Sequence, residues 1–150
     1  MTLALRHAAL GLALALASGL AAAQATPAGL WKTVDDSTKK EKSLVRIVES
    51  GGVYTGRVEK VIDPDSPKDA VCKDCTDDRK DKPVVGMTII RNMKASGDKD
   101  VFEGGDILDP NNGKVYSAKL KLVEGGRKLD VRGYIGTPLL GRTQTWQRVE

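Results

Sequence analysis

Short runs of alternating apolar and polar residues, closed by glycine turns, constrain this chain more than any other feature. From Lys114 to Val123, Tyr116, Ala118, Leu120 and Leu122 share one face, while Ser117, Lys119 and Lys121 share the other. Glu124-Gly125-Gly126 then turns the chain. Arg127 to Ile135 repeats the pattern, with Leu129, Val131 and Ile135 opposite Lys128, Asp130 and Arg132. A period of two is the signature of a half-buried strand, and a glycine pair between two such runs marks a hairpin.

The same reading extends upstream. Gly29 to Val34 and Ser43 to Glu49 are strand candidates, and Ser50-Gly51-Gly52 is a tight turn. Val53 to Ile62 follows, with Tyr54, Gly56, Val58 and Ile62 on one face. Asp63 to Pro83 loses all periodicity and holds three prolines and two cysteines, so it reads as a long loop. Val84 to Met93 is an apolar, β-branched strand candidate, although Val84, Met87 and Ile90 also have helical spacing. Val101 to Leu108 carries Gly104-Gly105, where a bulge is expected. The last candidate runs from about Leu140 to Val149, after Gly136-Thr137-Pro138. Eight antiparallel strands joined mostly by short loops predict an all-β, up-and-down barrel, with the first strand pairing the last.

The amino-terminal residues stand apart. Met1 to Ala25 reads as a secretory signal peptide, with Arg6 ahead of an apolar stretch from Ala8 to Leu20. Small residues allow cleavage before Gln24 or before Thr26, which leaves a single barrel domain over 26–150. No later apolar run approaches membrane-spanning length. The expected compartment is therefore the periplasm or the cell exterior. The only histidine, His7, lies within the signal segment. A Ser-His-Asp triad, a Cys-His pair and a His-ligated metal are thereby excluded from the processed chain. No catalytic constellation, cofactor motif or metal motif stands out, and the expectation is a protein that is not an enzyme. The processed net charge of +3 is mild and interspersed, which argues against nucleic acid as a partner.

Several strings together resemble a known family. They are Gly29-Leu30-Trp31, Gly51-Gly52-Val53-Tyr54-Thr55-Gly56, Cys72-Lys73-Asp74-Cys75 and Gly104-Gly105-Asp106-Ile107-Leu108-Asp109-Pro110. Gly113-Lys114-Val115-Tyr116, the run Leu129 to Gly136, and Leu140-Gly141-Arg142-Thr143-Gln144-Thr145-Trp146 complete the set. In order and spacing they resemble the secreted bacterial proteins grouped as domain of unknown function 2147. The resemblance implies a lipocalin-like barrel and no established activity. It also implies that Trp31 closes one barrel end beneath an arginine of the last strand, for which Arg142 and Arg148 both qualify. Stacking of a guanidinium on an indole would be the physical basis.

Cys72 and Cys75 are the sharpest local chemistry. In an oxidising compartment two cysteines point to one disulfide that staples the loop. The Cys-x-x-Cys spacing also permits a redox pair, and metal binding or free thiols are further alternatives. Asp74, Asp77 and Asp78 crowd the pair and disfavour a thiolate. With Asp81 they form no calcium-loop pattern, and Lys73, Arg79, Lys80 and Lys82 would oppose a cation. Tyr54, Tyr116, Tyr134, Gln144 and Trp146, with Arg132 and Arg142, are the candidate ligand-facing side chains. The alternative is that they brace the wall of the barrel. The leading expectation is a non-enzymatic binder of a small apolar or amphipathic molecule. An envelope protein-interaction or structural module comes second, and a thiol-disulfide redox protein third.

Overall fold

A computed structural model describes residues 25–150. The signal segment ahead of Ala25, with His7 and the cleavage point before Gln24, lies outside the described residues. Eight strands follow in order: β1 Gly29–Val34, β2 Glu41–Ser50, β3 Val53–Val61, β4 Thr88–Ala95, β5 Val101–Asp109, β6 Lys114–Val123, β7 Lys128–Tyr134 and β8 Gly141–Arg148. Each pairs antiparallel with its neighbour in sequence, and β1 pairs β8 through Trp31↔Arg148 and Lys32↔Gln147. The sheet is a closed barrel, as the spacing of turn residues predicts. Among the described residues no helix is long and apolar enough to cross a membrane.

This topology sorts the connections. The β2–β3, β4–β5 and β6–β7 turns share one end of the barrel with the first and last described residues. The β1–β2, β3–β4, β5–β6 and β7–β8 loops share the other, here termed the loop end. The first end can be tight because its turns are short. Gly51 and Gly52, at φ 57° and 81°, supply the left-handed pair that matches a hairpin turn to the twist of β2 and β3.

Three local expectations are corrected. Val84 to Met87 is not the start of a strand: β4 begins at Thr88 and runs on to Ala95. The apolar run instead closes the loop over β3, where Gly86 donates to the Val58 carbonyl and Met87 accepts from the Val58 N–H. Val61, not Ile62, continues the buried face of β3, because the register with β2 shifts between Leu44 and Val45. Ile135 leaves the barrel wall altogether, since β7 ends at Tyr134. The bulge expected at Gly104-Gly105 is present as a register shift between Phe102 and Gly105.

Inward side chains fill the middle of the barrel. Trp31, Val45, Ile47, Val58, Ile90, Met93, Leu120, Leu129, Val131 and Trp146 belong to one continuous buried cluster. Tyr54 meets Phe102 edge-on inside it, with ring centroids 5.0 Å apart. Aliphatic groups do most of the packing, as expected of a chain with six aromatic residues. The long β3–β4 loop extends this cluster at the loop end. Leu108 alternates with the inward Ile107 and pairs with the exposed Val115, so it lies on the outer wall, yet it is only 2% exposed. The disulfide loop reaches this corner: Cys72 Sγ is 3.6 Å from the Pro110 carbonyl. Cys72 and Cys75 join the same cluster as Leu108.

Candidate functional site

The end opposite the loops is built around Trp31. Its indole N–H donates to the Pro27 carbonyl at 2.8 Å. Arg148 lies over the ring, its Cζ 4.3 Å from the centroid. The same guanidinium donates to the carbonyls of Gly126 at 2.7 Å, Ala28 at 2.9 Å and Thr26 at 2.6 Å. Burial pulls its pKa below the usual guanidinium value. Arg142, the other candidate for this position, lies toward the loop end. There it grips Asp36 through Nε at 3.1 Å and Nη2 at 2.6 Å, and also donates to the Ser37 hydroxyl. That contact holds the Asp36 carboxyl below its ordinary pKa. This end of the barrel is a clasp that ties the amino-terminal segment and the β6–β7 turn to β8.

The candidate ligand-facing residues separate. Tyr54 is consumed by core packing against Phe102. Gln144 and Trp146 come together, the indole N–H donating to Gln144 Oε1 at 3.1 Å. Tyr116 sits half-buried toward the loop end, its hydroxyl accepting from the Asn112 amide at 3.1 Å. Tyr134 pairs with Ser117 on the outer wall, so it does not face the barrel interior. Arg132 is also on the outer wall, bonded to the Thr143 hydroxyl.

Cys72 and Cys75 form a disulfide with Cα atoms 5.4 Å apart. At 0% and 1% exposure the sulfurs are closed off from solvent. The loop is fastened by more than this bond. Cys72 accepts from the Asp81 N–H and donates its own N–H to the Lys82 carbonyl. Two of the aspartates around the pair, Asp77 and Asp78, are occupied by arginines. Asp77 accepts from Arg79 through both oxygens and is held at a pKa of about 2, chiefly by that guanidinium. Asp78 accepts two bonds from Arg91, which lowers its pKa as well.

Between this loop and β4 lies a groove of about 300 Å³. Its apolar lining includes Pro83, Val85 and Met87, and its polar lining includes Arg79, Lys82 and Arg91. Arg79 is 5% exposed and donates Nη1 to the Thr88 carbonyl at 2.9 Å, so its charge is fixed in place. Lys82 enters none of the nine ion pairs of the described residues. An apolar lining with a few fixed polar groups is the usual make-up of a small-molecule site. A second groove, of about 190 Å³, lies outside the β1–β8 seam between Asp36, Lys39, Thr143 and Thr145.

Arg79, Met87, Thr88 and Arg91 carry no sequence signal as a site. They are assembled only when the loop's Asp78 meets Arg91 of β4 and Arg79, paired locally with Asp77, reaches the Thr88 carbonyl. Arg79 alone stood near a recognised feature, as a charge beside the cysteines.

The comparisons agree with this architecture. No match is found among curated proteins. Among solved structures, the chain is similar to protein HP1028 from Helicobacter pylori, described as belonging to the lipocalin family. The identity is 19%, each chain is covered over 84% of its length, and the TM-score is 0.71, a likeness of fold. A family model described as an uncharacterized protein conserved in bacteria matches residues 29–148. That span runs from the first residue of β1 to the last of β8, and the chain belongs to this family, DUF2147.

Proposed function

We propose that this protein is a non-enzymatic binder of the bacterial envelope, periplasmic or secreted, that takes a small amphipathic molecule at its loop end. The groove beside the disulfide loop carries the reading. It offers an apolar lining to a hydrocarbon body and the free charge of Lys82 to an anionic head. The filled interior moves the expected site from the barrel axis to this surface. The buried disulfide supports a structural role for Cys72 and Cys75 over a redox one, because exchange requires an accessible sulfur.

Native mass spectrometry of the protein purified from its own host tests the proposal. A retained small molecule, depleted in Lys82→Gln, supports it. Repeated preparations that carry no small molecule overturn it. An envelope interaction module is the second reading, favoured by the exposed apolar β7–β8 loop, and a co-purifying partner chain in the same spectra would replace the first reading with it.

A further inference from the structure

The β7–β8 connection, residues 135–140, is an apolar tip held in a fixed shape. Ile135, Leu139 and Leu140 are 63%, 88% and 76% exposed. Pro138 opens a short 3-10 turn, Thr137 donates to the Ile135 carbonyl, and Leu140 donates to the Thr137 carbonyl. Arg132 Nε donates to the Pro138 carbonyl at 2.6 Å, so a cation stands directly behind the tip. Single exposed apolar side chains are ordinary, but three on one ordered loop make a patch that water disfavours.

The outer wall beside this loop is cationic. Ala118, Leu120, Leu129 and Val131 point inward, so Lys119, Lys121 and Arg132 point outward. Lys119 pairs directly across from Arg132, an arrangement of like charges that destabilises a sheet unless something else compensates. Lys121 pairs with Asp130, but that carboxylate accepts instead from the Thr145 hydroxyl at 2.7 Å. None of Lys119, Lys121 and Arg132 enters an ion pair among the described residues.

We propose that the β7–β8 tip and the adjoining cationic face of β6 and β7 dock the barrel on an anionic lipid bilayer. A bilayer presents phosphate outside and hydrocarbon within, the order in which this surface presents cations and then leucines. Strand rise places the backbone of Arg132 and Lys119 roughly 10 Å behind the base of the tip, with the Arg132 guanidinium reaching forward to Pro138, so both cations meet the headgroup layer when the tip enters the acyl boundary. A tilt toward β6 brings Lys121 down as well. Nucleic acid would match the charges but leave the leucines in water. This surface lies away from the groove beside β4, so the inference does not rest on the proposed ligand.

Flotation of the purified full chain with vesicles tests it, using phosphatidylcholine alone and phosphatidylcholine mixed with phosphatidylglycerol. The expected result is binding to the mixed vesicles and little to phosphatidylcholine. Each lysine is worth about fivefold at an anionic surface, so Lys119→Gln with Lys121→Gln should weaken binding roughly 25-fold. Leu139→Ser with Leu140→Ser should weaken it by about tenfold or more, since two side chains lose their apolar burial. Thermal melts of both variants confirm that the barrel is intact. Absence of binding to the mixed vesicles, or binding that either double variant leaves unchanged, overturns the proposal. So does capture of nucleic acid or a partner protein through these residues without vesicle binding.

Discussion

Arg148 stacks on Trp31 and at the same time binds the carbonyls of Thr26, Ala28 and Gly126. One side chain therefore ties the chain's amino-terminal approach, the β6–β7 turn and β8 together around a buried indole. Arg148→Ala removes a stacked cation and leaves three carbonyls without this donor. The expected cost is about 2–4 kcal/mol in urea unfolding. Arg148→Lys should recover little of it, because an ammonium lacks the planar fork. Arg142→Ala, which loses an exposed ion pair with Asp36, should cost less than about 1 kcal/mol. Equal losses at the two arginines would contradict the distinct roles assigned to them.

The double change Cys72→Ser with Cys75→Ser should leave the barrel folded. The ring it opens is short, and loop-entropy arithmetic gives about 2 kcal/mol. Hydrogen exchange should locate the effect, with faster exchange at Cys72, Asp81 and Lys82 and unchanged protection in β6 and β7. In the native protein a dithiol reductant should act slowly without denaturant, since both sulfurs are buried. Fast native reduction, or a thiol pKa in the reduced protein well below about 8.5, would revive the redox reading.

Asp63 is buried at the start of the disulfide loop, ion-paired to Lys42 and accepting from the Asp65 N–H and the Ser66 hydroxyl. Lys42 first, then the Asp65 amide, hold its pKa at about 2, against an ordinary 3.8. Asp77 is held as low, by Arg79. Both carboxyls are depressed in the folded state, so the unfolded chain takes up protons first. Their contribution is complete above about pH 5 and is lost as pH falls from about 4 to 2. The melting temperature should drop across that window. Asp63→Asn should start lower at neutral pH and fall less steeply. A variant that tracks the parent at every pH would show the pair to be inert.

Gly113, at φ 72°, ends the β5–β6 turn with no room for a side chain. A Cβ there would lie 2.0 Å from the Asp74 carbonyl oxygen. Gly113→Ala should therefore cost at least about 2 kcal/mol through backbone strain and loop displacement together. Chemical shifts should move around Cys72 to Cys75 as well as at the turn. A shift confined to the turn would mean the loop does not rest on it.

Strand count, order and barrel closure were legible because the period-two pattern and the glycine turns are local signals. What failed was long-range in origin. Ile62 loses its place to Val61 because β3 carries an extra residue, Glu59, opposite the step from Leu44 to Val45 of β2. Val84 and Met87 have the composition of a strand but serve a loop that folds back on Val58. Arg142 and Arg148 share one face of β8, so alternation could not choose between them. The choice depends on where the segment from Thr26 to Ala28 runs, and no pattern in β8 encodes that. The groove beside β4 was illegible for the same reason, since Asp78 meets Arg91 only after the loop has packed.

The β1–β8 junction has a kinetic consequence. Every other strand pairing joins sequence neighbours, mostly through short hairpin loops, with the long β3–β4 loop as the exception. This one joins the two ends of the described chain through only two register pairs. Its sequence separation gives it the highest closure cost, so it is expected to form last, and until then β1 and β8 are open edges whose unpaired amides can template another chain. The hold of Arg148 on the amino-terminal segment shortens that exposed interval. A protein emptied of this one side chain would meet its gravest hazard during refolding at high concentration, as edge-to-edge oligomers, before any weakness showed in the finished barrel.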